Sequence, residues 1–561
     1  MAAATAMTSR MDAPPVTVRR ARRGPPARAC AALALAAMAL AAAGRPGRAA
    51  ADERVLRLVI AQDPPQLDST KATDALSGFV LGHVNEGLTR YGRSGEIVPA
   101  IAERWELRDD GATFHLRKDA RWANGDPVTA HDFVFAWRKV VDPKNASEYA
   151  FIMYPVKNAE AVNTGKLPLT ALGVSAPDDH TVEIALEKPC GFFLSLTAFA
   201  SYYPVQQRFY EQRAGRYAAE ARDLLSNGPF VLKEWIHGAS LVMERNPRYW
   251  NAAQIQLDRI EIPYVTSDAN ARFNLFRDGR VDVLESLGRD ELKRAQAQRF
   301  RMKSFADGTL GYMEFNLRPG SPAANRNLRK AIALAFDPRE YVARVIGIPG
   351  ARPGLGLIPH NMPGVSAPFR KEYPLPPRKP DLEAARRHLE LARAELGGTI
   401  PPVVYLTGDT PGASRESEYL QRLLKTRLGI ELRIDKQIFK QRLAKMSAGQ
   451  FDIVAAGWRP DFLDPMTFAE LLASWNENNR GKWHNARYDE LVRRAQETAD
   501  PKARMDAMAE AERIALDDVA ILPTAESSVI YVHSKRVEGI ARHVVATDPD
   551  YTGARIRADA P

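Results

Sequence analysis

Ten histidines, two cysteines and a broad supply of serines and carboxylates give this 561-residue chain the raw material for several chemistries, so spacing has to decide among them. No His stands in H-E-x-x-H, the helical i, i+4 pair that holds a catalytic zinc, and no Ser stands in the G-x-S-x-G turn that exposes a nucleophile. Cys30 and Cys190 cannot form a C-x-x-C zinc or redox pair. Gly354-Leu355-Gly356 lacks the third glycine and the strand-to-helix setting of a dinucleotide fingerprint, and reads as a loop. Carboxylates distant in sequence can still meet as an acid/base pair, an alternative that sequence alone leaves open. The reading is a protein without catalytic residues, metal or cofactor. One segment stands out: Ala455-Ala456-Gly457-Trp458-Arg459-Pro460-Asp461 places an aromatic, a cation and a carboxylate directly after an apolar strand. By residue type alone, Asp461 is a loop cap.

Elements positioning such residues need a substantial core, and the composition supplies it. With 45% hydrophobic and 26% charged residues, the chain is neither disordered nor fibrous, and its length calls for two or three domains. Arg19, Arg20, Arg22, Arg23 and Arg28 precede the apolar run Ala31 to Ala43, and Ala49 and Ala51 stand at A-x-A spacing. This pattern predicts a cleavable export signal over residues 1–51, too short to span a bilayer that needs about 20 apolar residues. Sec and twin-arginine routes both stay open. Because residues 1–51 carry eight Arg and one Asp, only about +3 of the net +10 belongs to the rest of the chain. That balance, without a concentrated basic run, argues against nucleic-acid binding. Cys190 remains as the single thiol after cleavage, read as a small apolar side chain.

Strand and helix signals alternate. Residues 54–60 read as a strand, and 111–122 as a half-buried strand leading into the turn Ala123 to Pro127. Thr129 and Asp132 open a helix over Phe133 to Val140. Asp381 caps a helix to Leu396 that exits through Gly397 and Gly398. Strands at Val403–Leu406, Ile430–Ile434 and Phe451–Ala455 then alternate with helices near 414–427 and 437–447, which is the signature of an α/β lobe. Asp500-Pro501 starts a further helix.

The stretch from Ala100 to Trp137 resembles the signature region of the family 5 extracellular solute-binding proteins of ABC transporters. Leu67-Asp68, Asn227 to Phe230 with Trp235, Glu244 to Trp250, Asn327 to Ile332 with Asp337, and Gly457-Trp458 to Pro465 follow in the family's order, so the resemblance covers about 52–555. It implies a periplasmic-binding-protein-like α/β fold of two lobes joined by two hinge crossings, with the ligand cleft between them. The expected division is residues 52–85, 211–312 and 530–561 in lobe I, an inserted domain at 86–210, and 313–529 in lobe II. It also implies a periplasmic monomer that captures a small peptide or peptide-like solute and hands it to an inner-membrane ABC permease.

The same resemblance assigns site residues. Asp461 stands where relatives place the carboxylate that meets a peptide's α-ammonium, beside Gly457, Trp458 and Arg459. Thr73, Asp74 and Ala75 match a segment whose backbone pairs with an extended peptide. Tyr312 and Glu314 match pocket residues near the hinge, and Tyr149 is a further candidate; each also reads as an ordinary packing residue. The departures are as informative. Basic residues that hold the ligand's carboxylate in relatives are matched here by Ala455, Ala413 and Ile346, and cleft aromatics by Ala525, Glu526 and Ser527. Arg459 and Arg415 are candidate substitutes. Ligand length is therefore open, and the alternatives are a metal chelate, an opine or a sugar in the same fold, or a sensor that presents its ligand.

Overall fold

A computed structural model describes residues 54–557 apart from Ser94, Ala214, Ala499 and Ala546. The predicted signal segment and Cys30 lie outside the described residues. Among the described residues no helix is long and apolar enough to cross a membrane.

The first strand, Val55–Ile60, runs parallel to Arg259–Val265, and antiparallel strands Ser240–Arg245 and Phe230–Ile236 complete a four-stranded sheet. Its inner face packs on the helix Ala75–Val84 through Leu56, Phe79, Phe230 and Ile260, all nearly inaccessible. A second four-stranded sheet, Ala102–Arg108, Gly111–Leu116, Thr181–Ala185 and Val174–Asp178, is wholly antiparallel. Its core is built around the helix Ala130–Val141, whose N-terminus carries the expected capping box of Thr129 and Asp132. The strand predicted over 111–122 stops at Leu116. The chain turns away there so that Trp122 enters the core and donates its indole N–H to Asp132 at 3.0 Å.

The third layer is a six-stranded mixed sheet in the order Arg352–Pro353, Ile521–Glu526, Leu310–Phe315, Ile453–Trp458, Val403–Gly408, Leu432–Gln437. Its three final strands are connected by the helices Pro411–Leu428 and Phe439–Ser447, and the pairs Val403–Gly408 with Leu432–Gln437 and with Ile453–Trp458 are parallel. That is the α/β alternation expected from the sequence, with each predicted strand displaced by up to three residues at its ends. The helix Leu382–Glu395 has Asp381 as its cap, and Gly397 and Gly398 both adopt positive φ at its exit.

Two short crossings leave this sheet side by side. Lys303–Phe305 leads into Leu310–Phe315 through Gly308, whose φ of 76° lies in the left-handed region that favours glycine. Ile521–Glu526 returns into Val529–His533 through Ser527 and Ser528. The paired strands continue on both sides of the crossings, and the Ser527 amide donates to the Thr309 carbonyl at 2.8 Å. The architecture is the two-lobed α/β fold the resemblance implies.

The core of the antiparallel domain should be sensitive to truncation. Trp137 is fully buried, donates to the Tyr202 carbonyl at 3.0 Å and meets the Tyr202 ring edge-on at 4.9 Å. Trp137→Ala is expected to lose about 3 to 5 kcal/mol, seen as an earlier urea transition by circular dichroism. A shift within about 0.5 kcal/mol would mean this ring is not part of the packed core.

Candidate functional site

The strand Ile453–Trp458 ends at the rim of a cavity of about 380 Å³. Because strand side chains alternate, pairing of Tyr312 with Ala456 and of Leu310 with Trp458 brings the two strand ends to the same opening. Thr73, Asp74, Ala75, Tyr149, Tyr312, Gly457, Trp458, Arg459 and Asp461 all line it. Thus nine of the ten sequence-predicted site residues meet at one place.

Asp461 is the chemical centre of this cavity. Only 9% exposed, its carboxylate accepts one bifurcated hydrogen bond from the Tyr149 hydroxyl, which lies 3.0 and 3.2 Å from its two oxygens. Burial pushes its pKa up to about 8, against the opposing effects of the Tyr149 hydrogen bond and the Arg459 charge. The loop cap read from residue type belongs to its neighbours instead: the Asp461 backbone amide donates to the Thr467 hydroxyl at 3.1 Å, leaving the side chain free of backbone partners.

Aromatic rings wall this carboxylate. Trp458 lies nearly parallel to Tyr149, with ring centroids 6.1 Å apart and an interplanar angle of 9°, and Tyr149 stacks in turn on Phe199 at 5.5 Å. Tyr149 therefore serves both readings made of it, as a packing aromatic and as a polar group on the cavity. It belongs to the segment packed in the antiparallel domain, whereas Asp461 follows a strand of the six-stranded sheet. Their hydrogen bond joins the two across the cavity.

The remaining predicted residues separate by role. Asp74 spends its carboxylate on the helix N-terminus, accepting from the Leu76 and Ser77 amides at 3.1 and 2.9 Å. Thr73 beside it has no backbone-to-backbone hydrogen bond, as a segment offering its main chain to a ligand requires. Gly457 is not demanded by packing, since a Cβ there would meet the Leu310 carbonyl at 3.5 Å and the Thr309 methyl at 3.7 Å, both ordinary contacts. Arg459 is occupied: it donates to the carbonyls of His543 and Val544 and lies 3.4 Å from Asp548. Glu314 is the residue outside the cavity. On the same strand face as Tyr312, it is covered by Arg480-Gly481, and its Oε1 accepts from the Gly481 amide at 2.6 Å. Burial raises it to about 7. Gly481 approaches so closely that a Cβ would fall 2.1 Å from the Phe315 carbonyl, so only glycine fits.

A second cavity of about 250 Å³ shares Thr309, Tyr312 and Ala456 as walls with the first. Five of the six positions of departure, Ile346, Ala455, Ala525, Glu526 and Ser527, line it, and Ala413 does not. No basic side chain does; Glu416 and Glu526 face it instead. Arg415 lies in a neighbouring depression with Gly412 and Glu416.

Sequence reasoning missed Arg442 and Arg480, both on the first cavity. A signal for Arg442 exists: Phe439, Arg442, Leu443 and Met446 stand at i, i+3, i+4 and i+7 on the helix Phe439–Ser447, and all four line the cavity. One arginine within an apolar stripe is the mark. No such spacing announces Arg480, which lies in a loop and pairs with Glu148 at 3.0 Å. Among the described residues no group of three or more His, Cys, Asp or Glu is placed to hold a metal ion. The Cys190 thiol is pushed up to about 12 by burial.

Comparison with known proteins places this geometry. The family described as bacterial extracellular solute-binding proteins, family 5 Middle, matches residues 96–480. The dipeptide-binding protein DppE of Bacillus subtilis is 31% identical over 499 residues, 88% of this chain and 90% of that protein. The Listeria monocytogenes OppA bound to peptide superposes with a TM-score of 0.85 at 31% identity, over 90% of this chain and 99% of that one. The Escherichia coli murein tripeptide-binding protein MppA, 27% identical, superposes at 0.81 over 90% and 99%. Its unliganded open form reaches only 0.59 over 90% and 98%. The lobes here are therefore set as in the peptide-bound relative, not as in the open one.

The raised Asp461 pKa fixes a pH dependence of stability. With a folded value of about 8 against 3.8 for a free side chain, the folded ligand-free protein keeps a proton that the unfolded chain releases. Stability contributed at this site falls as pH rises from about 4 to about 8, and is level beyond. Ligand-free Asp461→Asn should match wild type near pH 4 and exceed it by an amount that grows to the order of a few kcal/mol near pH 8. Denaturant titrations across that range check this. A gap independent of pH would show that Asp461 is hydrated.

Proposed function

The chain belongs to the bacterial extracellular solute-binding proteins of family 5, the substrate-binding, non-enzymatic components of ABC transporters, and on that premise we propose that its cleft captures peptides by their free α-amine at Asp461. The observation that carries this reading is a buried carboxylate that lines the cavity and has a hydroxyl, but no cation, hydrogen-bonded to it. An ammonium entering the cavity would supply the missing positive charge and convert a neutral, protonated acid into an ion pair. Trp458 and Tyr149 would exclude water from that pair. The exposed backbone of Thr73 to Ala75 would pair with the ligand main chain, which recognises peptides independently of side chains.

The relatives support the ligand class, since DppE and OppA are named for dipeptides and oligopeptides and one OppA structure holds a peptide. We take residues 52–85, 211–312 and 530–561 as one lobe, 313–529 as the other and 86–210 as the insert. Bending at 306–309 and 527–528 would then open the cleft. Closure around the ligand would give the permease a surface that the empty, open protein does not offer. The finer reading is a periplasmic monomer exported by residues 1–51 and serving an inner-membrane permease.

Asp461→Asn tests the assignment because it keeps side-chain volume and removes the charge. Stranding a buried ammonium costs about 3 to 5 kcal/mol, or roughly 100- to several-thousand-fold in affinity. Calorimetry should show that loss for free-amine peptides, and N-acetylated peptides should bind wild type no better than free-amine peptides bind the variant. Equal affinity in wild type and variant would remove Asp461 from the site. A second signature follows from the pKa of about 8: at pH 7, binding of a free-amine peptide to wild type should release close to one proton, read from the dependence of the calorimetric enthalpy on buffer ionisation. The variant should release none, and a wild type that releases none binds its ligand without ionising Asp461.

A further inference from the structure

We propose that Arg442 is the carboxylate anchor of this site, holding the C-terminal carboxylate of a short peptide inside the same cavity that holds its amine. The inference deepens the peptide reading above and rests on it.

Three arginines line the first cavity, and two have anionic partners. Arg459 faces Asp548 and two backbone carbonyls, and Arg480 faces Glu148. Arg442 has none. Its Nη1 donates to the Ala455 carbonyl at 2.7 Å, and its Nε is buried without a partner among the described residues. The Arg442 guanidinium stands 5.5 Å over the Phe439 ring, a contact that orients it without neutralising it. Burial, with the nearby Arg480 charge, lowers its pKa from the ordinary arginine value. A half-buried guanidinium held in this way is stabilised by an anion that reaches it, and its planar fork suits a carboxylate bidentately.

The second cavity decides where a carboxylate cannot go. It continues from the first past Thr309, Tyr312 and Ala456, and would be the natural place for a longer ligand to extend. Glu416 and Glu526 line it with no basic side chain among its walls. Glu526 is already engaged by His360, and burial raises the Glu416 pKa, so a ligand carboxylate there would find no free cation in a poorly hydrated space. The two cavities thus sort the ligand's terminus by what they offer it: the first has a guanidinium, and the second has no basic side chain among its walls. Peptides short enough to end at Arg442 are favoured over those whose carboxylate is carried past it.

The experiment uses the mature chain with di-, tri- and tetra-alanine, each as free acid, C-terminal amide and N-acetyl derivative, against wild type, Arg442→Gln and Arg442→Lys. For the best-bound length, wild type should prefer the free acid over the amide by about 10- to 100-fold, the range of a charge-assisted hydrogen bond. Arg442→Gln should abolish that preference while leaving the effect of N-acetylation intact, and Arg442→Lys should restore part of it. An unchanged melting temperature of the ligand-free variants confirms the fold, and if Arg442→Gln does not fold, the acid-to-amide ratio in wild type and in Arg442→Lys still decides. Equal binding of acid and amide by wild type, with N-acetylation still harmful, overturns the role of Arg442 and leaves the amine anchor standing. Binding that tightens steadily to tetra-alanine with the acid preference kept in Arg442→Gln places the carboxylate elsewhere. Absence of binding to every free-amine peptide overturns the peptide reading itself.

Discussion

A carboxylate withdrawn from water without a cation to meet it is the constraint from which the site follows. Asp461 sits at 9% exposure with a tyrosine hydroxyl as its hydrogen-bonding partner. An acid so placed is cheap while protonated and expensive while charged, so the cavity is electrostatically incomplete until a cation enters. The surrounding features serve that state. Trp458, Tyr149 and Phe199 keep water away, and the Tyr149 hydroxyl supplies a hydrogen bond that satisfies the acid while the cavity is empty.

The same hydrogen bond ties site chemistry to large-scale conformation. Tyr149 comes from a turn packed in the antiparallel domain and Asp461 from the loop after a strand of the six-stranded sheet, and the Glu148 carboxylate next to Tyr149 receives Arg480 and Ser447 from the opposite side. These contacts are made in the closed setting, the one shared with the peptide-bound relative. Opposing them is a pair of crossings a few residues long, held side by side by the bond from Ser527 to Thr309. Adjacent short crossings restrict the motion to bending about one line, so that the lobes part and return in register.

Charge also divides the cleft along its length. The first cavity is lined by Asp461 and by Arg442, which has no ion-pair partner among the described residues, and the second by Glu416 and Glu526 with no basic side chain. Ala455 and Ile346 bring no charge to the second cavity, and Arg442 reaches the same strand from the first by donating to the Ala455 carbonyl. On the proposed reading, recognition through ligand termini and main chain would leave side chains of the ligand largely unread, which would suit a protein that gathers a class of solutes rather than one compound.

Much of this was legible in sequence, because it depends on local chemistry. The capped helices at Thr129 and Asp381, the turn at Gly125, the strand-helix alternation after Val403 and the family's ordered blocks all rest on near neighbours. The segment Gly457 to Asp461 was likewise visible, being a single strand end. What sequence left undecided concerned pairs distant in the chain. The role of Asp461 as a desolvated acid rather than a loop cap depends on Tyr149, 312 residues away. Arg459 reads as a free cation until the C-terminal stretch delivers Asp548 and two carbonyls to it. Glu314 reads as a pocket residue until Arg480-Gly481 folds across it. Arg442 carried a faint mark in its apolar stripe, yet its lack of an ion-pair partner among the described residues is a property of the assembled cavity. Burial and pairing set the charge state of each of these groups, and both are decided only when remote segments meet.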